Sequence, residues 1–174
     1  MIIIRTAHPA DADVIHLLVN SAYRGEGSKR GWTTEADLLG GQRTDREKVL
    51  EVLTNPDMRI ELAYDDDQLI GCVQLTREPA GSCYLGMLTV DPGRQAAGLG
   101  SRLLSHGEQV AREWGCASMR ITVIHLRDEL LRYYERRGYR LTGAVEPFPT
   151  DPRYGLPRTE LKLLVLAKPL HDPR

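Results

Sequence analysis

A chain of 174 residues, 41% of them hydrophobic, has the length and polarity of one globular domain that fills 1–174 and buries its own core. With 23 Lys and Arg against 24 Asp and Glu the formal charge is -1, so no global positive field draws it onto nucleic acid or an anionic membrane, and neither is expected as a partner. The apolar start at Ile2, Ile3 and Ile4 is too short for a signal peptide and no stretch reaches the roughly 18 apolar residues of a membrane span, so a cytoplasmic protein is expected.

Residues 2–5 read as a strand, and Pro9 with Asp11 then opens a helix on which Val14, Ile15, Leu18 and Ala22 recur at helical spacing. The glycine-bearing, charged and aperiodic stretch 23–32 reads as a loop of the kind that touches substrate. Capping-type starts at Thr34 to Asp37, before Leu38 and Leu39, and at Thr44 to Glu47, before Val49, Leu50 and Leu53, predict two short helices, the second ended by Asn55 and Pro56.

From Met58 the pattern changes to period two. Residues 59–64 and 69–75 make a hairpin around Asp65, Asp66 and Asp67, and another strand runs over 83–90. A helix over 98–114 carries Leu99, Leu103, Val110, Ala111 and Trp114 on one side and stops at Gly115. The next strand, 118–124, is then a parallel neighbour of the strand before that helix, joined by a crossover. A helix over 127–137 ends at Gly138, a strand begins at 139–142, a Pro-rich loop occupies 147–157, and 160–167 is the last strand. This order describes a mixed α/β sheet with helices on its faces. Cys72, Cys83 and Cys116 are odd in number and widely spaced, with no C-x-x-C pair, and read as reduced core thiols; nothing in the sequence requires a metal.

The loop Gln95, Ala96, Ala97, Gly98, Leu99, Gly100 lies between a strand and a helix, where free backbone N–H groups and the positive end of the helix dipole suit a phosphate or pyrophosphate. The same two glycines would also serve to shape a tight turn and let the helix pack on the sheet. A Walker A loop is ruled out because Gly100 is followed by Ser101 and Arg102 with no Lys, and a dinucleotide fingerprint because Leu103 stands where its third glycine belongs.

What does match is the Q/R-x-x-G-x-G/A signature of the GNAT superfamily of N-acetyltransferases, which the sequence resembles through Leu88, Thr89, Val90, Asp91 and Pro92 followed by Gln95 to Gly100. The segment Tyr134, Glu135, Arg136, Arg137, Gly138, Tyr139 is similar to the family's Y-x-x-x-G-F/Y stretch. The resemblance spans nearly the whole chain. It implies a GNAT-like fold, with a central, mostly antiparallel sheet of about six or seven strands, one parallel crossover pair and about four or five flanking helices. It also implies an enzyme of the N-acetyltransferase class using acetyl-CoA, or another acyl-CoA, as co-substrate.

By residue, the resemblance implies that the backbone of Leu88, Thr89 and Val90 holds the pantetheine arm and thioester carbonyl. Gln95, Ala96, Ala97, Gly98, Leu99, Gly100 and Ser101 would hold the pyrophosphate, and Tyr134 would donate a proton to the CoA sulfur, with Tyr133 as the other tyrosine able to face it. The bland reading of Tyr134 is an aromatic packed beside Leu130 and Leu131. Where many members carry an Asn about seven residues before the tyrosine, this chain has Arg127.

No motif fixes a general base. Glu61, Glu78 and His125 are candidates, as is a water held by backbone carbonyls. By analogy the acceptor side is lined by Arg24, Glu26, Lys29, Arg30, Trp32, Phe148, Asp151, Arg153 and Tyr154, with Arg43 or Arg153 available to a substrate carboxylate. Three functions stay open: acetyl transfer from acetyl-CoA to a primary amine of a small molecule or protein in a ternary complex, transfer of a longer acyl chain, and a non-catalytic CoA-sensing domain. A homodimer through sheet edges or helices is compatible with each.

Overall fold

The structure, a computed structural model, describes residues 1–23, 39–40, 43–149, 156–157 and 159–171, with 39–40, 95–97 and 156 described by their backbone alone. The capping-type helix start at 34–37, and Arg24, Glu26, Lys29, Arg30, Trp32, Asp151, Arg153 and Tyr154, lie outside the described residues.

In chain order the elements are β1 (Ile2–Thr6), a 3-10 turn (Pro9–Asp11), α1 (Ala12–Tyr23), β2 (Leu39–Gly40), α2 (Arg46–Thr54), β3 (Met58–Asp65), β4 (Gln68–Arg77) and β5 (Ser82–Val90). A second 3-10 turn (Pro92–Ala97) leads into α3 (Leu99–Glu113), followed by β6 (Ser118–Ile124), α4 (Asp128–Glu135), β7 (Arg140–Pro147), β8 (Leu156–Pro157) and β9 (Lys162–Pro169). Seven strands form one sheet in the order β1-β3-β4-β5-β6-β9-β7, and β2 pairs with β8 as a separate ribbon. The sheet is antiparallel except between β5 and β6, which run parallel across the α3 crossover as the sequence order requires.

Several sequence expectations are corrected in detail. Val14 is 45% exposed, because the buried stripe of α1 is Ile15, Leu18, Val19 and Ala22, spaced i, i+3, i+4, i+7, and Val14 sits one residue off it. The N-cap of α2 is Asp45 rather than Thr44: the Asp45 carboxylate accepts from the Lys48 N–H at 2.8 Å, while the Thr44 backbone is occupied by Asn20. Leu39 is paired with Pro157 in a strand, so neither the helix at Leu38 and Leu39 nor a loop throughout 147–157 describes those positions.

The two sheet faces follow from strand periodicity. Ile60, Leu62, Cys72 and Met87 point toward α1 and α2, whereas Leu75, Leu85, Leu88 and Val90 point toward α3 and α4. Helix α3 lies close against the sheet because Gly107 has no side chain; a Cβ there would come within 3.0 Å of Leu85 and 3.2 Å of Leu75. Two carboxylates are buried on the α3 side, Glu108, paired with Lys168 at 2.6 Å, and Glu61. Glu61 is 1% exposed and accepts from Thr6 Oγ1 at 2.9 Å, from Arg59 Nε and from His106 on α3 at 2.8 Å. Burial pushes its carboxyl upward, but these three partners outweigh burial and hold it below the usual range.

All three cysteines are buried free thiols. Burial pushes the Cys72 and Cys83 thiols from 9.0 up to about 12. A folded-state value above the unfolded one favours folding fully below the unfolded value and is lost as pH rises through the folded value. The chemical-denaturation midpoint is therefore expected to fall between pH 9 and about 12. Thiol reagents should label the native protein slowly at pH 8. Equal midpoints at pH 8 and pH 11, or rapid native labelling, would contradict this burial.

Candidate active site

The parallel seam is short. β5 and β6 pair at Ser82, Cys83 and Tyr84 with Ser118, Met119 and Arg120, and beyond Tyr84 the register ends while both strands continue. A cavity of about 510 Å³ occupies the gap, with Leu85 to Leu88 on one wall and Ile121 to Ile124 on the other. At its closed end the Tyr84 hydroxyl and Thr122 Oγ1 share a hydrogen bond of 2.9 Å, tying the strands together where they part.

Strand β5 is distorted beside this cavity. Its register with β4 shifts between Cys72↔Thr89 and Gln74↔Gly86, so one extra residue of β5 is accommodated, and Met87 takes a φ of +51°. This is a β-bulge, which leaves backbone unpaired with the neighbouring strand. Two contacts hold it: Thr89 Oγ1 donates to the Met87 carbonyl at 2.9 Å, and the Tyr23 hydroxyl at the end of α1 donates to the Leu88 carbonyl. The isolated Gly86 within a strand pattern was the available sequence signal for a bulge.

Leu88 and Tyr134 both line the cavity. Tyr134 is 6% exposed, with its ring edge-on to Tyr133 at 5.3 Å and to Tyr139 at 5.8 Å. Burial first, and the neighbouring phenols Tyr23, Tyr133, Tyr139 and Tyr84 after it, hold its hydroxyl proton well above the usual tyrosine range. Tyr133 takes the other direction: it carries the Arg137 guanidinium 3.5 Å above its ring and is not part of the cavity wall.

The phosphate-type loop lies outside the cavity. Asp91 caps its 3-10 turn by accepting from Gly93 N at 2.9 Å, and Arg94 ties the turn to the β3–β4 hairpin through Asp65 at 2.6 Å and Gln68 at 3.3 Å. Gly98 sits at φ +74° as the N-cap of α3, a left-handed conformation that favours glycine, and open space lies where its Cβ would be. Hydrogen bonding along α3 begins with Arg102 N to Gly98 O at 3.2 Å. The N–H groups of Leu99, Gly100 and Ser101 thus stand at the helix start, the arrangement that binds phosphate oxygens.

None of the three general-base candidates reaches the cavity. Glu61 is held by Thr6, Arg59 and His106; Glu78 is paired with Arg120 at 2.9 Å; His125 Nδ1 accepts from Lys162 N at 3.1 Å. Among the described residues the titratable side chains of the wall are Tyr23, Arg43, Lys48, Tyr84, Arg127 and Tyr134. Phe148, Arg43 and Arg127 are on the wall, as is Tyr23, the first residue of the stretch read as a loop that touches substrate; Lys48, Tyr84 and Thr122 carried no sequence signal.

The sequence pattern that defines the Acetyltransferase (GNAT) family matches residues 30–139, well over half of the chain. The chain belongs to this family. The enzyme class read from the sequence, an N-acetyltransferase, is the class that GNAT membership gives, and the seven-stranded mixed sheet with one parallel pair is the fold expected of it. The tRNA(Met) cytidine acetyltransferase TmcA of Aeropyrum pernix is 33% identical over 119 residues, 68% of this chain and 15% of that protein. The Blasticidin-S acetyltransferase of Streptomyces morookaense is 36% identical over 67 residues, 38% of this chain and 48% of that protein. The chain thus spans less than half the length of either relative. A solved structure of an N-acetyltransferase from Staphylococcus aureus Mu50 superposes with a TM-score of 0.76 at 16% identity, covering 98% of both chains, a likeness of fold.

Proposed function

We propose that this chain is a single N-acetyltransferase domain that transfers the acetyl group of acetyl-CoA to a primary amine of a small molecule or protein by direct attack in a ternary complex. The observation that carries the reading is that α4 places a buried, protonated tyrosine on the wall of a cavity whose opposite strand is bulged at Leu88. The nearly balanced charge favours a small-molecule or protein acceptor over nucleic acid.

In this reading the neutral amine attacks the thioester carbonyl carbon within the gap. The N–H groups of β5 around Leu88, Thr89 and Val90 are fixed dipoles for the developing oxyanion. As the C–S bond breaks, the sulfur takes a hydrogen bond and then the proton from Tyr134. The loop and helix start, from Gln95 through Ser101, hold the pyrophosphate. With no carboxylate or imidazole on the described wall, the amine arrives neutral, gives up one proton to water after it attacks, and water returns a proton to the Tyr134 phenolate.

Isothermal titration of acetyl-CoA and CoA into the purified protein, followed by an amine screen read by free-thiol release, tests the proposal. Saturable binding with amine-dependent thiol release is the expected result. Absence of CoA binding would sink the acyltransferase reading, and binding without turnover across the screen would favour a CoA-sensing domain.

A further inference from the structure

Arg137 differs in its surroundings from the guanidinium groups that a carboxylate or open water satisfies. Arg5, Arg59, Arg77, Arg94 and Arg120 each pair with a carboxylate. Arg102 and Arg112 bond backbone carbonyls and are exposed to water. Arg137 is half-buried and has neutral partners: its Nη1 donates to the Tyr133 carbonyl at 3.0 Å, its Nε to Ser101 Oγ at 3.4 Å, and its plane lies over the Tyr133 ring.

The helix dipoles do not supply the missing counter-charge. Arg137 touches the C-terminal turn of α4, worth about half a negative charge, and the first turn of α3, worth about half a positive charge, and the two offset. A cation half withdrawn from water, stacked in place and facing a second positive end, lacks an anion that the described residues do not provide. The stack also fixes the plane of the guanidinium, so little side-chain freedom is lost when it grips a phosphate.

We propose that Arg137 binds the pyrophosphate of the acyl-CoA, as a second arm reaching from α4 across to the start of α3. This rests on the acetyl-CoA reading above. The loop before α3 then holds the pyrophosphate from one side and Arg137 from the other. Because Tyr133 carries Arg137 while Tyr134 lines the cavity, one turn of α4 fixes both the phosphate end and the thioester end of the substrate.

The test titrates CoA, 3′-dephospho-CoA and pantetheine into wild type and Arg137→Gln, with unliganded thermal melts as a control for folding. The variant is expected to bind CoA and 3′-dephospho-CoA about tenfold more weakly, with pantetheine unaffected and the gap narrowing as salt rises. Arg137→Lys, which keeps the charge but not the planar fork, serves if the Gln variant does not fold, with a smaller loss in the same pattern. Unchanged CoA affinity overturns the proposal, as does a loss that vanishes with 3′-dephospho-CoA, persists with pantetheine, or ignores salt. No CoA binding by wild type overturns the acetyl-CoA reading itself, an outcome distinct from all of these.

Discussion

Replacing Tyr134 with Phe is expected to lower acetyl transfer about 100-fold, the usual range for loss of a general acid, while CoA affinity stays within about twofold. The ring would remain, and with it the edge-on contacts to Tyr133 and Tyr139, so the fold is kept. Among the described residues nothing bonds the Tyr134 hydroxyl, so its removal strands no partner in the interior. Burial holds this phenol above the ordinary tyrosine range, which keeps the acid protonated through neutral and mildly alkaline pH. The deficit should therefore be the same at pH 7 and pH 9. Single-turnover thiol release by the folded variant at the wild-type rate would remove Tyr134 from the chemistry. A deficit that appears in CoA affinity instead would make it a packing residue.

Gly98→Leu is expected to weaken CoA binding about a hundredfold. Two charge-assisted hydrogen bonds at about 1.5–3 kcal/mol each cover that factor. The backbone at this position is left-handed at φ +74°, which costs an L side chain roughly 1–2 kcal/mol, and the space beyond the missing Cβ is open, so no packing penalty adds to it. The leucine would fill the approach to the N–H groups of Leu99, Gly100 and Ser101. Gly98→Ala, with the same backbone strain and a shorter side chain, should fall between the two. Circular dichroism confirms folding and titration calorimetry gives the affinity. A folded Gly98→Leu protein that binds CoA like wild type would move the pyrophosphate elsewhere.

The elements that one residue pattern fixes were legible in the chain. The strand 118–124 matches β6 residue for residue, and α3 lies within one residue at either end of its expected span, because a strong periodic pattern and a glycine at each end leave little choice. Tyr134 was placed by a motif, and the structure decides its orientation relative to Tyr133, which helix phase alone leaves open by one residue. The rest of the wall was not legible for a physical reason. Tyr23 meets Leu88 across 65 residues of chain and Tyr84 meets Thr122 across 38, contacts that exist only once the sheet has formed. Sequence could not rank the base candidates, because ionisable residues on strands look alike in it. The cations folded against Glu61 and Glu78 become visible only in the structure.

The short parallel pairing has a mechanical meaning. Four strands, β1, β3, β4 and β5, lie on one side of the seam and three, β6, β9 and β7, on the other, and among the described residues they are joined by three residue pairs and the adjoining bond from Ala117 N to Gly81 O at 2.8 Å. Every other strand pair of this sheet carries at least five registered residue pairs, so this seam is its most sparsely joined line. If the proposed acyl-CoA occupies the gap, it stands where those rungs are absent and bridges the two halves of the sheet, so its binding should stiffen the fold across this seam.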